Sequence, residues 1–306
     1  MKPALSVIAF TVLSGAGLGL TVWLVLARWF SLLSTGSWWW AVMLAVLLTT
    51  AGLFCSSLHL ANPRNAWRAA SRWRHSWLSR EAVLALALYP VGAGYLWAVY
   101  LNAQVLAGLL GLGLMALALG TLYCTAMIYA CLKTVPSWHA WQTRLSYPLL
   151  GLASGAVCLI PFAPHMADGG VGRLAIALLV AGALLKYSAW KDANRALPGL
   201  EAALNLSGRV RMLDAGHTGP TFLTREFGYQ LKPELGRQLR WMALVLAFVL
   251  PAVLISAGGP GWCLPPCPAR RGLRLSVGCF SRRPVMWCAS ITGSRESSAA
   301  MASLAG

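Results

Sequence analysis

The stretch ALSVIAFTVLSGAGLGLTVWLVLA, Ala4–Ala27, decides the fold. It contains no Asp, Glu, Lys or Arg, and it is long enough to cross a hydrocarbon core, which takes about 17–25 apolar residues as a helix. A membrane barrel strand would alternate polar and apolar residues instead, so helix is the only spanning form this run allows. Six further runs are equally free of charge: Trp38–Leu58, Ala82–Leu101, Ala103–Leu132, Pro148–Phe162, Leu174–Leu185 and Trp241–Ser256. The fifth and sixth are short and are expected to borrow flanking polar residues. The fold class expected is therefore all-α, a polytopic transmembrane bundle of seven helices. The first run is longer than the apolar core of a secretory signal and continues into Arg28-Trp29 without a small-residue cleavage site, so it reads as a retained helix.

Composition agrees. Of 306 residues, 58% are hydrophobic and 11% charged, where an ordinary soluble domain has about a quarter charged. The net charge of +17 invites a nucleic-acid reading until the basic residues are placed along the chain. On a seven-helix path Lys2, the connection from Arg64 to Arg80, Lys133, Arg144 and the segment from Lys186 to Arg240 all fall on one side, 17 basic residues in all. The other side has Arg28 and Arg173. Loops rich in Lys and Arg stay in the cytoplasm, which predicts a cytoplasmic N-terminus in a bacterial inner membrane. The charge is a topology signal, and nucleic acid is not an expected partner. Trp29, Trp38, Trp39, Trp40, Trp97, Trp138, Trp141, Trp190 and Trp241 fall near the run ends, where indoles suit the headgroup region.

The chain divides at about residue 258. Residues 1–258 carry the helices, and 259–306 form an irregular tail with six Arg and four of the eight Cys. A metal site from Cys263, Cys267, Cys279 and Cys288 lacks the paired spacing of zinc modules and any accompanying His. A disordered tail or a shifted reading frame near codon 259 explains the composition better. Cys55, Cys124, Cys131 and Cys158 lie in or near the helices and are expected to pack as small apolar residues.

The apolar runs hold none of the ionisable residues that mark ion pathways, which counts against a transporter of a small solute or ion, the competing function class. Pro90 with Gly92 and Gly94 offers that class a broken helix, while an ordinary proline kink is the plainer alternative. Gly15-x₃-Gly19 and Gly151-x₃-Gly155 are spacings that let helices approach closely. Of His59, His75, His139, His165 and His217 only His59 lies at a helix end, so no pair is placed to ligate a haem and no metal is expected in this chain.

The informative connection is Ser57-Leu58-His59-Leu60-Ala61-Asn62-Pro63-Arg64-Asn65-Ala66-Trp67-Arg68, followed by Ser76-Trp77-Leu78-Ser79-Arg80-Glu81. Pro63 places His59 in the last turn of the second helix, and Ser79 is the expected N-cap of the third, with Glu81 in its first turn. Complementary helix-end charges explain this pair without any function. A sharper explanation is a quinol pocket at headgroup level. His59 and Glu81 would bond the hydroxyls and take protons, and Arg64 would stabilise an anionic intermediate.

These segments resemble the dimethyl sulfoxide reductase anchor subunit family. Met127–Trp138 (MIYACLKTVPSW) and Gly208–Thr218 (GRVRMLDAGHT), continuing to Arg225–Tyr229, are similar in order and context. The resemblance covers residues 1 to about 258. It implies an eight-helix subunit without haem or metal of its own that anchors a molybdopterin catalytic subunit and an iron–sulfur subunit and oxidises menaquinol. It assigns His59 and Glu81 to the quinol site. Arg209, Arg211, His217 and the Met127–Trp138 block become interfacial candidates, with loop folding or contact with anionic membrane lipid as the alternative. The family's eighth helix is absent, and the tail stands in its place. A purely structural tether without a quinol site is a third reading.

Overall fold

The computed structural model describes residues 5–57, 71–133, 138–163, 170–195 and 233–256, and these are helices and short turns with no strand among them. The helices are α1 (Leu5–Trp29), α2 (Thr35–Ser57), α3 (Trp77–Tyr100), α4 (Gln104–Ala130), α5 (Trp141–Leu159, tightened into a 3₁₀ turn at Ile160–Phe162), α6 (Gly170–Arg195) and α7. The last runs from Pro233–Leu244 through a π turn, Val245–Val249, into Leu250–Ser256. Among the described residues seven helices are long and apolar enough to cross a membrane. His59, Arg64, Arg209, Arg211, His217 and the tail 259–306 lie outside the described residues.

The helix at the centre is α1. Leu18, Leu20, Val22, Trp23, Leu24 and Val25 are all buried, so its second half is apolar on nearly every side, as a helix enclosed by others must be, while Leu5, Ile8 and Val12 of the first half are exposed. With no hydrophobic drive between helices in lipid, close contact comes from small residues. A Cβ built on Gly19 would land on the carbonyl oxygen of Gly151, and one on Gly155 on the backbone of Gly19 and Leu20. The α1–α5 crossing is thus backbone against backbone, as the two glycine spacings predict. Gly15 is the exception, with open space where its Cβ would lie, whereas Gly17 and Gly52 make an equally tight contact between α1 and α2 at Thr49 and Ser14. Indole donors add polar fastenings: Trp23 Nε1 donates to Leu152 O at 2.9 Å and Trp38 Nε1 to Leu24 O at 3.1 Å.

Four expectations need correction. The fifth helix begins at Trp141 and not Pro148, and the sixth runs from Gly170 to Arg195, so Lys186, Lys191 and Asp192 ride on the helix that a charge-free criterion ends at Leu185. Trp38 belongs to the core and not the interfacial belt, being 3% exposed and edge-on to Tyr95. Pro90, by contrast, sits inside an unbroken α3, as the plainer of its two alternatives has it. The N-cap of α3 is Ser76, whose side chain accepts from Ser79 N, not Ser79. The π turn in α7 precedes Pro251, which has no N–H to donate: Leu250 N–H reaches back to Val245 O.

Cavities fix which helix ends lie together. Arg28 and Ser31, where α1 turns into α2, line one space with Asn102 and Gln104, where α3 turns into α4. Ile8, Tyr129, Gln142, Lys186 and Arg240 line another at the opposite end. Helices α1 to α4 therefore run up and down in alternation. Cys124 is buried, Cys55 and Cys158 are half-buried, and Cys131 is exposed, all as free thiols.

Candidate functional site

Glu81 lies in the second turn of α3, about 6 Å along the axis from Trp77. Starting the helix at Trp77 moves this carboxyl past the first turn, where the macrodipole acts most strongly, so complementary helix-end charge does not account for it. It is 4% exposed. The hydroxyl of Thr125 on α4 donates to Glu81 Oε1. The Thr125 Oγ1 itself also lies 3.0 Å from the carbonyl oxygen of Thr121, one turn back. A hydroxyl carries one proton and can also accept. Pointed at Glu81 it satisfies a carboxylate; pointed at Thr121 it leaves its lone pair to accept from a protonated carboxyl. Thr125 thus serves Glu81 in both forms, which suits a group that gains and loses a proton.

Arg80 does not neutralise Glu81. Its guanidinium lies 4.3 Å over the Trp77 ring, its Nε donates to Trp73 O at 3.0 Å and its Nη2 to Arg74 O at 2.7 Å, closing the turn before α3. Among the described residues no cation pairs with Glu81. The connection that carries His59 and Arg64 leads into this same end of α3, and both residues lie outside the described part of it.

One turn beyond Thr125, Tyr129 stacks on Tyr147 of α5 with ring centroids 5.5 Å apart and planes 9° from parallel. Trp138 meets the same ring edge-on at 5.4 Å. Both ends of the Met127–Trp138 block thus converge on one place. These aromatics open onto a cleft of ≈ 500 Å³ lined also by Gln142, Lys186 and Arg240. Gln142, 2% exposed, donates through Nε2 to Asp192 Oδ2 at 2.6 Å. Glu81 is not on this cleft's wall; the stripe Thr121, Thr125, Tyr129 along α4 connects the two. Among the described residues no three His, Cys, Asp or Glu side chains gather as a metal site.

Sequence reasoning misses Thr125, Tyr147 and the Gln142–Asp192 pair. The available signal for the first is two threonines four residues apart on an otherwise apolar helix, which places two hydroxyls on one face.

Residues 1–256 match the family model described as DMSO reductase anchor subunit (DmsC). The chain belongs to that family. As a DMSO reductase anchor-family subunit with seven helices able to span a membrane among the described residues, it is a multi-pass membrane protein and the membrane component of an oxidoreductase complex. Among similar proteins, a sulfite dehydrogenase subunit of Allochromatium vinosum is 34% identical over 283 residues, covering 83% of this chain and 86% of the relative. An anaerobic dimethyl sulfoxide reductase subunit of Escherichia coli is 26% identical, covering 67% and 65%. YnfH, another anaerobic dimethyl sulfoxide reductase polypeptide of the same organism, is 32% identical over a shorter part, 36% and 39%. No solved structure matches the chain. Family membership gives no support to the transporter alternative. The family match stops at residue 256, short of the Arg- and Cys-rich tail.

Proposed function

We propose that this anchor subunit binds menaquinol at the Glu81 end of the bundle and passes its electrons to an iron–sulfur subunit, which serves a molybdopterin catalytic subunit in anaerobic electron transport. The observation that carries the reading is the buried carboxyl of Glu81 on the two-way hydroxyl of Thr125. Oxidation of a quinol releases two electrons and two protons. Glu81 accepts a proton at its carboxylate while Thr125 turns its own hydroxyl toward Thr121. His59 takes the other, and Arg64 holds the developing negative charge on the ring oxygen. The protons leave to the adjacent aqueous face. This chain binds and orients, and the redox chemistry belongs to the quinol and to the partners' cofactors. The one-sided placement of basic residues supports an inner-membrane location with this end, and the N-terminus, in the cytoplasm.

A second reading, of direction only, is favoured by the coverage of the sulfite dehydrogenase relative, 86% of its length against 65% for the dimethyl sulfoxide reductase relative. Oxidation of a substrate such as sulfite supplies two electrons, and the same site would then reduce a quinone, with Glu81 delivering a proton.

The test is Glu81→Gln and His59→Ala in the intact complex. General acid–base groups are typically worth about 10²–10⁴-fold, so quinol oxidation should fall at least roughly 10²-fold while activity with an artificial donor to the catalytic subunit is kept. Unchanged quinol turnover in both variants refutes the assignment. Quinone reduction driven by sulfite, with no oxidation of quinol by dimethyl sulfoxide, selects the second direction.

A further inference from the structure

At the end of the bundle away from Glu81, α2 and α3 stand apart. They are bridged by Thr50 Oγ1 and Tyr89 Oη at 3.0 Å, and beyond that bridge an apolar cleft of ≈ 230 Å³ separates them, floored by α1. Val42, Leu88, Gly92 and Leu114 form its walls, and exposed Val46 and Ala93 form a mouth that faces sideways. For a protein in a bilayer, sideways is the acyl-chain region. The space is smaller than the roughly 300–1,000 Å³ of pockets that enclose drug-sized ligands, and it suits an acyl tail better than a ring system.

Two side chains on the cleft, Thr49 and Tyr95, carry hydroxyls with no hydrogen-bond partner among the described residues, and that of Tyr95 is the more deeply buried. Tyr95 is 3% exposed. A buried hydroxyl left without a partner in an apolar setting costs free energy, so this donor gains from any acceptor brought beside it. Tyr95 also lines an adjoining polar chamber of ≈ 330 Å³, with Arg28, Ser31, Asn102 and Gln104 around it. Arg28 is exposed there and has no ion-pair partner among the described residues. Trp38 separates the apolar cleft from a second polar space, of ≈ 290 Å³, that again contains Arg28. An acyl slot, a buried donor and a free cation follow one another toward the headgroup level.

We propose that this is a phospholipid site: one acyl tail lies between α2 and α3, an ester or phosphate oxygen accepts from Tyr95, and the phosphate sits against Arg28. The cation selects a phospholipid over a quinone, which carries no charge for it. The site is separate from Glu81, and the proposal does not depend on the direction of electron flow.

The experiment uses the intact complex in mild detergent, loaded with dioleoyl phosphatidylglycerol and followed by native mass spectrometry as detergent is increased. The wild-type protein should retain one phospholipid. Arg28→Gln should weaken retention about fivefold, the worth of one basic residue beside an anionic headgroup. Ala93→Phe, which closes the mouth from the lipid-facing side without entering the core, should abolish it. Arg173→Gln, at the same end but not on the cleft, should change nothing. The proposal is overturned if the wild type retains no phospholipid, if Arg28→Gln and Ala93→Phe retain as much as wild type, if Arg173→Gln loses as much as Arg28→Gln, or if the molecule released is a quinone.

Discussion

Replacing Thr125 with Val isolates the contact on which the site rests. The two side chains have nearly the same shape, so the change removes a hydroxyl without opening a cavity, and Glu81 loses its partner on α4. Leaving a buried polar group unsatisfied costs about 1–3 kcal/mol. Hydrogen bonds between membrane helices measure less, averaging about 0.6 and reaching about 1.7 kcal/mol, because the separated helices also find partners. For a carboxyl only 4% exposed the upper part of that range applies, about 1–2 kcal/mol, which shifts the folded-to-unfolded ratio roughly 5–30-fold. The assay is unfolding of the purified protein in mixed micelles of rising dodecyl sulfate fraction, read by tryptophan fluorescence. A double-mutant cycle with Glu81→Leu removes the effect of either change alone. Thr125→Ser should behave as wild type, and Thr125→Val should also slow quinol turnover about tenfold. A coupling energy near zero, with Thr125→Val as stable and as active as wild type, would refute the reasoning.

Other consequences can be checked more briefly. Gly155→Ala drives a methyl into the backbone of α1 and should cost at least about 1–3 kcal/mol, as overpacking does, in the same unfolding assay. Gly15→Ala, with open space around it, should be neutral or gain about 0.4–1 kcal/mol. Trp38→Phe removes the 3.1 Å bond to Leu24 O and should destabilise by about 0.5–1.5 kcal/mol, whereas an indole of the interfacial belt would lose little. Resequencing the source DNA across codon 259 should reveal an inserted or deleted base whose repair restores an apolar eighth helix; an intact frame on that DNA sinks the idea.

Hydrophobic length made the seven spans legible, because a bilayer imposes one crude criterion that composition meets or fails. The same criterion shortened α5 and α6. It stops at the charges of Arg144 and Lys186, while the helices continue past them and use Gln142 and Asp192 as partners for each other. Trp38 was misplaced for a related reason: an indole near a run end reads as interfacial, and only its neighbours on α1 and α3 show that it faces inward. Glu81 stood out as a carboxylate beside an apolar run, yet its meaning depended on Thr125, 44 residues away on another helix. No local period carries such a pairing. Conversely, the small-residue spacing at Gly151 and Gly155 was readable because close helix approach leaves its mark in single side chains.

The α1–α5 crossing also bears on biogenesis. Trp23 emerges from the ribosome 129 residues before Leu152, the residue whose carbonyl its indole needs. Until α5 inserts, α1 shows lipid a glycine groove and an indole N–H with nothing to bond, and the second of these is costly in hydrocarbon. A polypeptide arrested after α4 is thereby marked as unfinished by its own first helix. Arrival of α5 covers the groove and gives the indole its acceptor in one step.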